Sequence, residues 1–315
     1  MSNITKDFIN QIEAHGFKAG IISIKHMDEI QSDIEATVKN SKDVSTHIGK
    51  YLSGFVYDYM DELPNAKSII VIAMPQPMSR IYFTLGAKKR AVIMPPMYLL
   101  NSSVEGEKQH KKICEVTSIV ENTLLEKSFK IRKINLPCKL VASRSGLGSY
   151  GKNNVCYVNN ESSFYWMGVY ISDLPCEEDS WQEAKIMKAC ANCDLCEKNC
   201  PTGAIANDRF LVHASKCITL QNESTEDFPE WLNSKCHNSI IGCMRCQIIC
   251  PVNRNNINDI EDLGEFDEVE TKMILDKTPL HELPEATYKK IEVINFTEYY
   301  ELLARNLNAL IGKYI

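Results

Sequence analysis

Residues 189–201 read ACANCDLCEKNCP, with cysteines at 190, 193, 196 and 200 and a proline after the last. Cys190-x2-Cys193-x2-Cys196-x3-Cys200-Pro201 is the bacterial-ferredoxin spacing, in which three closely spaced thiolates wrap one face of a 4Fe–4S cubane. The fourth, before proline, turns away and ligates the other cluster of a pair. A structural zinc site is the alternative, but zinc takes two knuckles around a tetrahedron and has no use for the third close cysteine or the Cys-Pro exit. A partner run, GCMRCQIICP at 242–251, supplies Cys243-x2-Cys246-x3-Cys250-Pro251. It lacks the first cysteine of the pattern, and Ile240 stands in that place. Interleaving the runs assigns Cys190, Cys193, Cys196 and Cys250 to one cluster. The other receives Cys243, Cys246 and Cys200 and needs one more ligand, with Cys217 and Cys236 nearby in sequence. Cys114, Cys138, Cys156, Cys176 and Cys236 read as small apolar core residues. Two cubanes in one interleaved segment conduct single electrons.

Everything else must fold around that segment. The chain has 315 residues, enough for one large domain or two. Its thirteen cysteines point to metal or redox use rather than to disulfides. No apolar run reaches the ~20 residues that span a bilayer. The N-terminal MSNITKDFINQIEAHGF reads as an amphipathic helix without the basic and apolar regions of a signal peptide, so a cytoplasmic location and no membrane partner are expected. A net charge of −6 lends no support to a basic nucleic-acid-binding face.

Residues 1–175 read as an α+β domain. Phe8–His15 ends a first helix, closed by Gly16. AGIISIK (19–25) alternates like a strand, and Met27–Lys39 is helical in composition. KSIIVIAMP (67–75) is a continuous apolar run, the mark of a buried strand. RIYFTLGA and RAVIMPP suggest two strands with a turn between them. Lys108–Lys130 carries helical periodicity through Ile113, Val116, Val120 and Leu124. NVCYVNNESSFYWMGVYIS (154–172) predicts a hairpin turning at NNES. Residues 176–257 form the cysteine-rich module, and 258–315 return to helix, ending in the amphipathic YYELLARNLNALIGKY.

GLGSYGKN (146–153) satisfies G-x-G-x-x-G literally, but a dinucleotide fold needs a strand before it and a helix after it. Here KLVASRS precedes and NVCYV follows, so the context fails. The glycine spacing before Lys152 also excludes a P-loop. What remains is a tight turn whose bare backbone could approach a large cofactor.

Several stretches together resemble epoxyqueuosine reductase: AKSIIVIAMPQP, SRSGLGSYGKNN, the interleaved cysteine runs with KCITLQNES (216–224), and LARNLNALIGKY. That family is cobalamin-dependent, modifies tRNA and is related in its core to reductive dehalogenases. The resemblance covers most of the chain and is specific in the cysteine segment and the glycine loop. It implies an α+β, nitroreductase-like corrinoid-binding domain (1–175), a ferredoxin-like two-cluster module (176–257) and a short helical C-terminal segment (258–315). It implies that Cys217, in KCITLQNES, closes the second cluster. It also implies that Gly146, Gly148, Gly151, Lys152 and Asn153 line a corrinoid site, with base-off cobalamin beside the nearer cluster and Lys152 meeting a corrinoid phosphate or amide.

Three departures accompany the resemblance. The family's catalytic aspartate precedes the glycine loop, whereas the corresponding INLPCK offers only Asn135, and an amide cannot donate a proton as a carboxylic acid can. A Tyr-His stretch of the family is not recognisable around 80–110. The family usually continues into helical repeats that help hold tRNA, which this sequence does not include. These place one-electron transfer through two clusters to a corrinoid, bound here or presented by a corrinoid protein, ahead of epoxide reduction on tRNA. A low-potential electron donor is required in either case. A plain two-cluster electron carrier is the third reading, and it leaves the glycine loop and the whole first domain without a purpose.

Overall fold

The apolar run at 67–75 is a strand at the centre of a four-stranded sheet. The computed structural model describes residues 3–40, 46–99, 111–206 and 210–311. The chain begins α1 (Ile4–Ala14), β1 (Lys18–Ser23), α2 (Met27–Asn40), α3 (Thr46–Ser53), β2 (Ser68–Pro75), β3 (Met78–Leu85) and β4 (Lys88–Met94). It continues α4 (Lys111–Leu125), β5 (Ile131–Lys133), α5 (Cys138–Arg144), β6 (Gly148–Tyr150), β7 (Cys156–Val158) and β8 (Tyr165–Ser172). The remainder is α6 (Leu195–Lys198), α7 (Ile218–Glu223), α8 (Arg245–Ile248), β9 (Ile260–Phe266), α9 (Glu268–Leu275), α10 (Glu285–Val293) and α11 (Tyr300–Ile311). Lys108–His110, the expected start of α4, lie outside the described residues.

Contacts divide the chain into two units: Met1–Pro75 with Lys111–Cys193, and Gln76–His110 with Asp194–Ile315. Composition draws a line near 175 instead. The difference has a structural cause: residues 76–110, which composition groups with the first domain, carry β3, and β3 pairs with β9 in parallel.

In the first unit the sheet order is β1-β2-β8-β5, all antiparallel. Ile69 to Ala73 are fully buried, as a central strand covered on both faces requires. Phe8 and Ile12 of α1 and Val116, Val120 and Leu124 of α4 are also fully buried. The hairpin expected at 154–172 is reduced to one antiparallel bridge, Val158 to Ser162. Asn159 and Asn160 do turn the chain, with φ of 51° and 60°, but β7 pairs with β6, and β8 pairs with β2 and β5.

In the second unit the sheet order is β4-β3-β9. Phe83 stacks on Phe266 at 4.9 Å, and Arg80 forks onto Asp262 at 2.6 and 3.0 Å. The acidic stretch after 258, expected to be helical, opens with β9. Its polar residues suit an edge strand, where one face meets solvent. Asp267 and Glu270 form a capping box for α9. Buried Glu270 is held further by Thr287 and Lys290 of α10. Asn306 of α11 is fully buried and donates to the carbonyls of Asn222 and Ile240, tying the final helix to the cysteine-bearing loops.

Candidate metal centres and the glycine loop

Cys190 and Cys193 close the first unit. Each is half-buried, and the Cys193 amide donates to the Cys190 carbonyl at 3.3 Å, forming the tight turn a C-x2-C knuckle needs. The knuckle is delivered by the segment before it. Trp181 stacks on His26 at 4.0 Å, and the His26 ring nitrogens meet Glu29 at 2.6 Å and Asp179 at 2.9 Å. Burial pulls the Asp179 carboxyl up, but hydrogen bonds from His26, Lys25 and the Ser23 amide outweigh it and hold the group at about 2. Arg144 lies 4.8 Å over Trp181 and bonds Asp33 and Glu183. Residues 179–183 are therefore strapped to α2 and α5.

The remaining sequence-predicted ligands, Cys196, Cys200, Cys217, Cys243, Cys246 and Cys250, lie in the second unit. Three of them influence one another. Burial pushes the Cys217 thiol up, Thr219 and Leu220 counter it, and the charge of Cys200 adds to the rise. Burial pushes Cys243 up to about 11, and Cys217 and Cys200 raise it further against the Arg245 amide. Cys200 departs the other way. Its burial is outweighed by the Thr202 hydroxyl and by the amides of Thr202, Ala204 and Ile205, so its thiol sits below the ordinary value. The Ala204 amide lies 3.3 Å from its sulfur. Such a nest of backbone donors stabilises negative charge on sulfur. The Cys236 carbonyl accepts from Arg245 Nε at 3.0 Å. Among the described residues, no three His, Cys, Asp or Glu side chains could hold a single metal ion.

A buried polar layer lies beside Cys217. Tyr98 donates to Glu223, whose carboxyl burial pushes upward, and Cys217 is among the groups that raise the Tyr98 phenol. A Cβ on Gly242 would come within 2.8 Å of the Tyr98 hydroxyl, so the glycine before Cys243 admits this ring. Sequence reasoning did not find Tyr98 or Glu223. No local pattern links them, and only the tertiary fold brings them together.

The glycines of the loop have a use within the fold. A Cβ on Gly148 would lie 2.7 Å from Cys156 Sγ, and one on Gly151 2.7 Å from the Tyr157 ring. Both glycines are required because β6 and β7 pack closely on each other, so their bareness is used inside the protein. Gly146, at φ +77°, closes α5. Asn153 is buried and donates to the Tyr157 hydroxyl at 3.0 Å. Lys152 is half-buried, and its ammonium donates to the Cys193 carbonyl at 3.0 Å. Asn135, at the expected acid position, is exposed. Its amide donates to the Gly54 carbonyl at 2.7 Å, and its own carbonyl accepts from Val56.

Three buried side-chain atoms near the start of β3 lack a hydrogen-bond partner: both polar atoms of Gln76 and the Ser79 hydroxyl. No helix among the described residues is long and apolar enough to cross a membrane.

Residues 189–253 match the family described as a 4Fe-4S double cluster binding domain. Two 4Fe–4S clusters are the cofactors of this segment. The epoxyqueuosine reductase of Bacillus subtilis (strain 168) is 28% identical over 219 residues, 65% of this chain and 54% of the relative. That of Staphylococcus aureus (strain NCTC 8325 / PS 47) is 25% identical over 277 residues, 82% of this chain and 68% of the relative. The chain thus spans about half to two-thirds of the length of these relatives. A crystal structure of epoxyqueuosine reductase with an epoxyqueuosine-modified tyrosine-tRNA stem loop superposes with a TM-score of 0.65 at 20% identity. It covers 98% of this chain and 81% of that one, so the two share a fold. The chain resembles the epoxyqueuosine reductases in sequence and in architecture.

Proposed function

We propose that this chain is an iron–sulfur reductase that passes single electrons to a cobalamin and acts on epoxyqueuosine in tRNA. The observation that carries the reading is the match of residues 189–253 to a double-cluster binding domain, within a chain that resembles the epoxyqueuosine reductases along most of its length. Sequence reasoning ranks electron transfer to a corrinoid above tRNA reduction, and the names of the curated relatives reverse that order. In this reading Cys190, Cys193, Cys196 and Cys250 hold one cluster, and Cys200, Cys217, Cys243 and Cys246 the other.

Cobalamin carries a rim of amide groups. The unpartnered amide of Gln76 and hydroxyl of Ser79 are donors and acceptors of the kind that pair with amides, so the residues present fit such a group. Bound cobalamin would supply low-valent cobalt chemistry. The chain's own contribution is to hold eight thiolates, shield those that burial raises, and stabilise charge on Cys200 through four hydrogen bonds.

Asn135 favours a second reading, a corrinoid-linked reductase for another acceptor. Its amide is committed to Gly54 and has no acidic proton to give. One experiment separates the two. The anaerobically reconstituted chain is reduced, mixed with cobalamin and epoxyqueuosine-bearing tRNA, and the digested nucleosides are analysed. Conversion to queuosine is expected. Reduction of cob(II)alamin without queuosine would establish the second reading.

A further inference from the structure

The glycine loop meets the first cysteine knuckle directly. Tyr150 of β6 forms a parallel bridge to Ile186, donating to the Lys185 carbonyl at 2.8 Å and accepting from the Met187 amide at 2.8 Å. Met187 is buried, and Cys190 follows it by three residues, its amide donating back to the Met187 carbonyl. Beyond the knuckle, the half-buried Lys152 donates to the Cys193 carbonyl. The loop therefore grips residues 185–193 at both ends, by backbone at one and by an ammonium at the other.

We infer that Lys152 is a positioning residue for the cluster held at Cys190 and Cys193, and that its charge makes that cluster easier to reduce. The inference rests on the reading that Cys193 is a ligand. Uptake of one electron adds one negative charge to a site already ringed by thiolates. A cation bonded to the peptide of a ligating residue favours the more negative state, and partial burial limits its screening by salt. Cluster potentials follow net charge and hydrogen bonding around the sulfurs. The loop residue expected to touch a corrinoid edge thus serves the electron path. Lysine suits this position because its flexible stem presents three donors around one compact charge.

The test compares Lys152→Met, which keeps an apolar stem, and Lys152→Arg, which keeps the charge. Each full-length chain is reconstituted anaerobically, assayed for iron, and titrated with dithionite and mediators under EPR. Dithionite supplies one electron per cluster. In Lys152→Met one of the two cluster signals should shift to lower potential while the other stays, and Lys152→Arg should stay near the parent. Loss of one cluster's iron in Lys152→Met, with full iron in Lys152→Arg, would equally support a positioning role. Full iron with both potentials unchanged in Lys152→Met would overturn the inference. Cys193→Ala is the control: if it keeps both clusters, the ligand reading itself fails, whatever Lys152 does.

Discussion

Cys217 and Cys236 are equivalent on spacing, since either could fill the place vacated at Ile240. Environment separates them. Cys217 precedes α7 as its N-cap residue, is half-buried, and both feels the charge of Cys200 and adds to that at Cys243. The Cys236 carbonyl is used to anchor Arg245. Replacing Cys217 by alanine should remove about half of the ~8 irons that two cubanes carry, with loss of one EPR signal. Cys236→Ala should keep both, and iron analysis beside EPR checks the pair. The double-cluster segment was legible because a cluster dictates local spacing. Lys152 was legible as a notable residue, but its partner was not, because the contact to Cys193 depends on how β6 lies against residues 185–187.

The strand β8 shows where reading from sequence stops. Its aromatic and β-branched residues identify a strand, and NNES identifies a turn, and both are present. Pairing is another matter. β8 lies between β2 and β5, with Ile70 opposite Tyr170 and Val71 opposite Val169, because a run buried on both faces gains most at the centre of a sheet. The short β7 is left to β6. This changes what a substitution in the glycine loop does. A valine at Gly148 would drive side-chain atoms into Cys156 and the Tyr157 backbone, at a cost typical of overpacking, ~1–3 kcal/mol or more. The β6–β7 pair and the grip on residues 185–187 should loosen together. Gly148→Val is therefore expected to lose iron from one cluster, not merely to block a cofactor. Iron content and EPR after anaerobic reconstitution check this against Gly54→Val, whose added Cβ makes only ordinary contacts at 3.4 and 3.7 Å.

A boundary near residue 257, as composition suggests, would keep every cysteine and still be the wrong place to cut. β9 covers one edge of β3, Phe266 stacks on Phe83, and Asn306 satisfies carbonyls at Asn222 and Ile240. A chain ended at 257 should therefore fail to retain its clusters, measured as iron and sulfide per chain after gel filtration. Full occupancy would show that the cysteine loops fold alone. The same pairing sets a timetable for biosynthesis. Arg80 and Asp262 are separated by 182 positions, so at ~5–20 residues per second the ribosome takes roughly 10–40 s to supply the partner of β3. During that interval one side of β3 is an open edge, a template for pairing with neighbouring nascent chains. All the cysteines of the second unit emerge before the strand that completes it. Iron–sulfur assembly machinery thus encounters thiols on an unfinished scaffold, and lasting insertion has to wait until β9 has been synthesised.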